Sequence, residues 1–293
     1  MKEILDNKIE QTERPDQIDR REFIIQVGEI GLTTLATYFS LLLKDAYAER
    51  TPEFLINFQK AYEDHIYRKE GNYLILRNGT RIQINDNIKK TPEQKLENAD
   101  LEDQMLLPYY GGDYVQKNWQ SLTPDYDPGR IRCQKFFSSI YGSSPSEVSS
   151  KLVTLTWPFK TAENKHLKIT TVNNVDKQLK EVLSELQQLI AQKPHFRKYL
   201  ENIAGSFNYR KIKNSNQLSP HSWGIAIDIN ATPYGDYWLW NSDKNSQYEN
   251  QIPIEIVKIF EKYGFIWGEN WMHYDTMHFE FRPELLPNYK KIK

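Results

Sequence analysis

Cysteine occurs once, as Cys133, in a chain of 293 residues. A single thiol excludes an internal disulfide and any metal cluster built from several thiolates. Close to Phe136 and Phe137, it reads as an ordinary small packing residue. Positive charge is not in excess either. With 38 Lys and Arg against 39 Asp and Glu, the formal net charge is −1. No basic surplus pulls the chain toward phosphate backbones, which argues against a nucleic-acid partner. Apolar residues, at 39%, are scarcer than usual, yet aromatics reach 13%. That leaves material for a packed core and aromatic faces over for a surface or cleft. The length suits one sizeable domain, or one domain with an extension.

A long hydrophobic run is also missing. Residues 1 to 21 are polar and end in Arg20-Arg21, after which an apolar stretch runs to Leu41-Leu42-Leu43. Glu29 interrupts it, leaving less than the ~20 apolar residues that cross a bilayer. Lys44 and the small-x-small triplet Ala46-Tyr47-Ala48 follow. A charged start, a greasy middle and a small-residue exit predict an export signal over 1–48. The order Arg-Arg-Glu-Phe-Ile gives it a twin-arginine character, with Asp19 where Ser or Thr is commoner. The expected location is therefore the periplasm or cell envelope, with no stable membrane span once the signal is removed. Oligomeric state has no signature here.

Residues 49–165 read as an N-terminal extension packed on the core. Phe54 to Tyr67 has helical periodicity. Tyr73–Leu76 and Arg81–Ile84 flank Asn78-Gly79, a hairpin signal whose tight turn asks for positive φ at both central residues. The stretch from Thr91 to Asp127 predicts loops, Asp127-Pro128-Gly129-Arg130 a turn, and Phe136 to Tyr141 a short helix.

From His166 to the end the pattern sharpens into a second region, 166–293. His166 to Val172 alternates as a half-buried strand does. Asn173 or Asn174 can cap a helix with apolar residues at Val175, Leu179, Val182, Leu183, Leu186, Leu189 and Ile190, closed by Pro194. A further helix starts at Pro253 and stops at Gly264. Two short strands, Ile225–Ile229 and His278–Phe281, complete an α+β order: a small, mainly antiparallel sheet with packed helices.

Those two strands share one logic. In Ile225-Ala226-Ile227-Asp228-Ile229 the isoleucines face the core, so Ala226 and Asp228 face away from it. In His278-Phe279-Glu280-Phe281 the phenylalanines face inward, and His278 and Glu280 face away. His221 lies in a loop before the first strand, with Gly224 allowing close backbone approach. Two imidazoles and a carboxylate make a three-ligand set for one catalytic Zn²⁺ ion, because the fourth position stays open. His221, Asp228 and His278 are thus the candidate ligands on the sheet face. A general base is then needed, and Asp275 and His273 compete for that role. Tyr237, Trp238 and Trp240 could stack on sugar or peptide.

Ser219-Pro220-His221-Ser222-Trp223-Gly224-Ile225-Ala226-Ile227-Asp228 resembles the S-x-H-x-x-G-x-A-x-D signature of M15 peptidases. These are D-alanyl-D-alanine carboxypeptidases and dipeptidases and L-alanyl-D-glutamate endopeptidases. Gly264-Phe265-Ile266-Trp267-Gly268 followed by Asp275-Thr276-Met277-His278-Phe279-Glu280 is similar to the family's later motif. The likeness covers roughly residues 166 to 285. It implies zinc on His221, Asp228 and His278, Asp275 as the catalytic carboxylate, Arg210 as the arginine that binds substrate and steadies the tetrahedral intermediate, and Ser219 in the same pocket. Asp275 would take a proton from water and return it to the leaving amine. Two positions depart from the pattern: Pro220 between Ser219 and His221, and Glu269-Asn270 where a second Gly and an Asp are frequent. Asp127 to Arg132 also looks like a stretch seen upstream in some bacterial relatives, and the sequence attaches no role to it.

The expected function is zinc-dependent hydrolysis of peptidoglycan stem peptides. The rival is a zinc-binding module without turnover that serves wall attachment or protein interaction. A base beside the ligands argues against the rival, since a purely structural site closes with a fourth protein ligand.

Overall fold

The computed structural model describes residues 52–112, 126–159, 165–230, 234–235, 237, 251–268, 271 and 273–292. The segment 1–48, expected to be an export signal, lies outside them, as do Trp238, Trp240 and Glu269-Asn270. Residues 53–293 form one compact unit. Helix α1 covers Glu53–Ala61 and is followed by β1, Ile66–Glu70. The helix expected through Tyr67 therefore stops early. Ile66 to Glu70 instead pairs antiparallel with β2, Tyr73–Leu76, so long-range pairing overrides the local helical period.

Strand β3, Arg81–Gln83, closes the hairpin in the register Tyr73↔Gln83 and Leu74↔Ile82. Its turn differs from the expected one. The Leu76 amide donates to the Thr80 carbonyl at 2.9 Å, which makes a three-residue loop, and only Gly79 takes a positive φ, of 83°. A glycine after an ordinary turn suffices for such a loop.

The stretch after Thr91 contains two short helices where loops were expected: α2, Pro92–Asn98, and α3, Leu101–Met105. Each carries a capping box, from Thr91 with Gln94 and from Asp100 with Asp103. Helices α4, Gln134–Tyr141, and α5, Pro145–Ser149, follow, the second capped by Ser144. Strand β4, Leu152–Trp157, pairs with β5, Lys165–Thr170.

Helix α6, Val175–Gln192, buries Val175, Leu179, Val182, Leu183, Leu186 and Ile190 at steps of three and four. Asn174 sits at its N-cap in the left-handed region without a side-chain capping bond. Asn173 instead donates to the Ala61 carbonyl at 3.3 Å.

The remaining elements build the sheet that matters most: β6, Ile203–Gly205; β7, Ala226–Ile229; helix α7, Ile254–Lys262; β8, Phe265–Trp267; and β9, His278–Phe281. The strand order is β6-β7-β9-β8, antiparallel throughout. Ile225, Ile227, Ile229, Phe279 and Phe281 are wholly buried in the main core, together with Ile256, Val257 and Phe260 of α7. The opposite face of the sheet is covered as well. A second apolar cluster of Ile266, Trp271 and Leu285 lies there. The turn at Gly129 packs so closely on it that a Cβ would fall 2.3 Å from the Ile266 Cδ1.

Candidate metal centre

Asp228 and His278 stand directly opposite each other on β7 and β9. Facing positions on neighbouring antiparallel strands bring side chains into contact. The Asp228 Oδ1 lies 2.9 Å from the His278 Nδ1. His221 arrives from a single 3-10 turn, Pro220–Trp223, which ends at Gly224 with φ 66°. The Asp228 Oδ1 is 3.2 Å from the His221 Nε2. One ligand atom from each residue lies within 4.8 Å of the others, so the trio could hold a metal ion. Both imidazoles are nearly enclosed, whereas the Asp228 side chain is 22% exposed, so solvent reaches the group from the carboxylate side.

The far side of each ring is anchored. His221 Nδ1 meets the Ser206 carbonyl, and His278 Nε2 lies 3.0 Å from the Glu280 Oε2. Such partners fix ring orientation and leave the other nitrogen for a metal. Glu280 is itself gripped. The Nε of Arg132 donates to its Oε1 at 2.9 Å, a second Arg132 nitrogen reaches Oε2, and Arg282 Nη1 donates to Oε1 at 3.0 Å. Although the strand pattern turns Glu280 away from the core, the residue is fully buried.

The electrostatics follow from these contacts. Burial works against charge on Asp228, but His221 and His278 hold its carboxyl far below the ordinary range. Burial would likewise lower His278, yet its hydrogen bonds to Asp228 and Glu280 raise its pKa to about 10. Burial favours the neutral form of Glu280, but Arg132 and His278 keep it well below the usual carboxylate range.

Asp275 behaves in the opposite way. Burial pushes it up to about 7, and nearby Asp228 adds to the rise against His278, His221 and Arg130. Its Oδ1 is buried without a hydrogen-bond partner. Its backbone is fixed: its amide donates to the Gly268 carbonyl at 3.0 Å and its carbonyl accepts from His278 at 3.1 Å. A carboxyl titrating near neutrality beside three groups that could hold a metal suits proton transfer. His273, the competing base, is committed elsewhere, with its ring nitrogen 2.7 Å and its amide 3.0 Å from the two oxygens of Asp127.

The other predicted residues frame the His221 turn. The Ser219 amide donates to the Arg210 carbonyl at 3.0 Å, and the Arg210 amide donates to the Ser222 hydroxyl at 2.9 Å. Ser219 is buried. The Arg210 side chain is exposed, and among the described residues its guanidinium bonds only the Lys211 carbonyl, at 3.5 Å. Of the tryptophans near the motifs, Trp223 and Trp267 are core residues, whereas the Trp271 ring packs 5.6 Å from the His278 ring. Tyr237 bridges to the Asp275 backbone.

Residues 213–281 match the model of an M15 peptidase family described as D-alanyl-D-alanine carboxypeptidase. The likeness to M15 peptidases is carried by that stretch of the chain. M15 peptidases are metallopeptidases, which agrees with a His, Asp, His group able to hold a metal. The match supports a hydrolase of peptide bonds. It takes in His221, Asp228, Asp275, His278 and Glu280, and leaves out Arg210 and the stretch from Asp127 to Arg132. No curated protein and no solved structure matches the chain. Among the described residues, no helix is long and apolar enough to cross a membrane.

Sequence reasoning missed Arg130 and Arg132. Their signal was visible as Arg-x-Arg after a Pro-Gly turn, but nothing local says that the turn lies beside Trp271 and Glu280.

Proposed function

We propose that this chain is a zinc peptidase that trims peptidoglycan stem peptides in the manner of a D-alanyl-D-alanine carboxypeptidase. One observation carries the reading: His221, Asp228 and His278 converge with ligand atoms within 4.8 Å, and Asp275 is close enough to share their field. Two imidazoles and one carboxylate are a donor set typical of catalytic zinc. Zinc there supplies Lewis-acid polarisation of a carbonyl and acidification of water.

The protein's own groups do the rest. His221 and His278 present fixed lone pairs because Ser206 and Glu280 hold their far nitrogens. Asp275 accepts a proton from water and passes it to the leaving amine, a role that its pKa of about 7 suits near neutral pH. Ser219 fixes the His221 turn at the pocket wall. Arg210 reaches from the rim toward the oxyanion or a substrate carboxylate. The N-terminal segment 1–48 delivers the enzyme to the periplasm or cell envelope, where such peptides occur. Blocking export by changing Arg20 and Arg21 to Lys tests that part.

The test of activity is mass spectrometry of stem peptides incubated with the protein, with and without chelator. Loss of the terminal D-alanine, abolished by chelator and restored by zinc, is the expected result. Asp275→Asn should lower turnover about 10²-fold or more while zinc remains bound. Full turnover in that variant would remove Asp275 from its role. Intact peptides with zinc-loaded protein would sink the peptidase reading.

A further inference from the structure

Four arginines lie around the site, and their donors are unequally used. Every guanidinium nitrogen of Arg132 has a partner: two engage Glu280, and Nη1 donates to the Arg130 carbonyl at 2.9 Å. Arg282 is fully buried among Glu280, Glu284 and the Gly129 carbonyl, over the Phe137 ring. Arg210 is exposed at the rim.

Arg130 shares one feature with Arg282: the Nη1 of the first and the Nη2 of the second are buried without a hydrogen-bond partner. It differs in access, because its side chain is 21% exposed whereas that of Arg282 is wholly enclosed. Its ion-pair partner among the described residues, Asp127, stands 3.5 Å away and already meets both the amide and the ring of His273. A buried guanidinium nitrogen without a hydrogen bond is costly unless something completes it.

Its position says what that is. The guanidinium carbon lies 5.9 Å from the Trp271 ring centroid, and the His278 ring lies 5.6 Å from that of Trp271. Arg130 also lies near enough to Asp275 for its charge to be felt there. The turn that carries it is rigid. Gly129 has φ 92° and packs against Ile266, the Trp271 indole donates to the Pro128 carbonyl at 2.6 Å, and the Arg130 amide closes the turn on Asp127 at 3.1 Å. The sequence thus fixes a cation one aromatic ring away from a metal ligand.

We propose that Arg130 is a specificity-determining residue that binds the C-terminal carboxylate of the peptide substrate. This rests on the peptidase reading and deepens it, since an anchored terminal carboxylate makes the site an exopeptidase site. A guanidinium meets a carboxylate through two parallel hydrogen bonds, which an amide end cannot reproduce.

The probes are N-acetyl-D-alanyl-D-alanine and its C-terminal amide. Binding is measured first by calorimetry on metal-free protein, where no turnover intrudes. Wild-type protein should prefer the acid about 10- to 100-fold, the value of a charge-assisted hydrogen-bond pair, and Arg130→Gln should reduce the preference toward one. Arg130→Lys, which keeps charge without the fork, should fall between. It also keeps the test decisive if the Gln variant melts early. An absent preference in wild type, or one retained in Arg130→Gln, overturns the assignment. Turnover by zinc-loaded protein is read separately. Equal hydrolysis of acid and amide would overturn the Arg130 anchor alone, whereas hydrolysis of neither would overturn the peptidase reading and the anchor with it.

Discussion

Asp228 and His278 are cross-strand partners whose Oδ1 and Nδ1 atoms sit 2.9 Å apart on the face of the sheet opposite the isoleucine and phenylalanine core. Register therefore fixes two of the three candidate ligands before any loop is considered. A slip of one residue would send both into the core face, an error that Ile227, Ile229, Phe279 and Phe281, four wholly buried side chains on these strands, oppose. Only His221 depends on a turn.

His278→Ala should abolish metal binding and leave the fold standing, because Phe279 and Phe281 still hold β9 in place. Elemental analysis after dialysis against zinc should give one ion per wild-type chain and none per variant, with unchanged far-ultraviolet circular dichroism. Stripping the metal from wild type should lower the melting temperature. At a free zinc concentration 100 times Kd the ion contributes about 2.7 kcal/mol to the folded state. A variant that kept its zinc would show that these residues do not hold it.

Proton release is the next expectation. With its pKa at about 10, metal-free His278 is an imidazolium at pH 7, and its proton must leave before Nδ1 can bind a metal. Calorimetry in buffers of different ionisation enthalpy should count close to one proton released near pH 7. Affinity should rise about tenfold per pH unit up to about 10. Stability runs the other way in the metal-free protein. A histidine raised from 6.5 to about 10 stabilises the fold fully below 6.5 and loses that contribution as pH climbs through 10. Asp275, raised from 3.8 to about 7, adds a loss across that lower interval. A metal-free melting temperature that increased from pH 5 to pH 10 would contradict both.

Glu280 is expected to serve the metal without touching it. Glu280→Gln keeps the shape but removes the charge that holds the His278 far nitrogen, which should weaken zinc about 10- to 100-fold. It also leaves Arg132 and Arg282 facing a neutral amide inside the protein, where breaking a buried pair costs about 3–5 kcal/mol. Urea denaturation of the metal-free variant reads the second effect, and competition with a chromophoric chelator reads the first. Unchanged zinc affinity would reduce Glu280 to a packing role.

How much of this the sequence discloses depends on distance along the chain. Alternation along β7 and β9 places Asp228 and His278 on one face, and the spacing of Val175 to Ile190 gives α6 its buried stripe. Both are local periodicities. The early end of α1 is not local, because β1 exists only by pairing with β2. Asn78 looks like a turn residue with positive φ, but the loop is one residue longer than the tightest hairpin and only Gly79 bears the strain. Arg132 grips a carboxylate 148 residues away, and no periodicity encodes such a contact. From its strand Glu280 reads equally as a partner of a ligand histidine or as a solvated carboxylate, and the structure has the first, with its Oε2 3.0 Å from the His278 Nε2.

Gly224 supports His221, and its replacement gives a separable expectation. It ends the 3-10 turn with φ 66°, its amide donates to the His221 carbonyl at 3.1 Å, and its own carbonyl accepts from Thr170 at 3.0 Å. A Cβ there would lie 2.6 Å from the Leu152 Cδ2 and 3.2 Å from the Thr170 nitrogen. Gly224→Ala should cost about 1–2 kcal/mol for the left-handed backbone, and about 1–3 kcal/mol more for crowding a packed site. Because the turn must shift to relieve the contact, zinc affinity should fall with stability. Gly205→Ala is the control: its Cβ meets nothing within 4 Å and its backbone is not left-handed, so its effect should stay within about 0.5 kcal/mol. Melting curves that coincide for the two variants would mean that β4, β5 and the His221 turn are not locked together at this glycine.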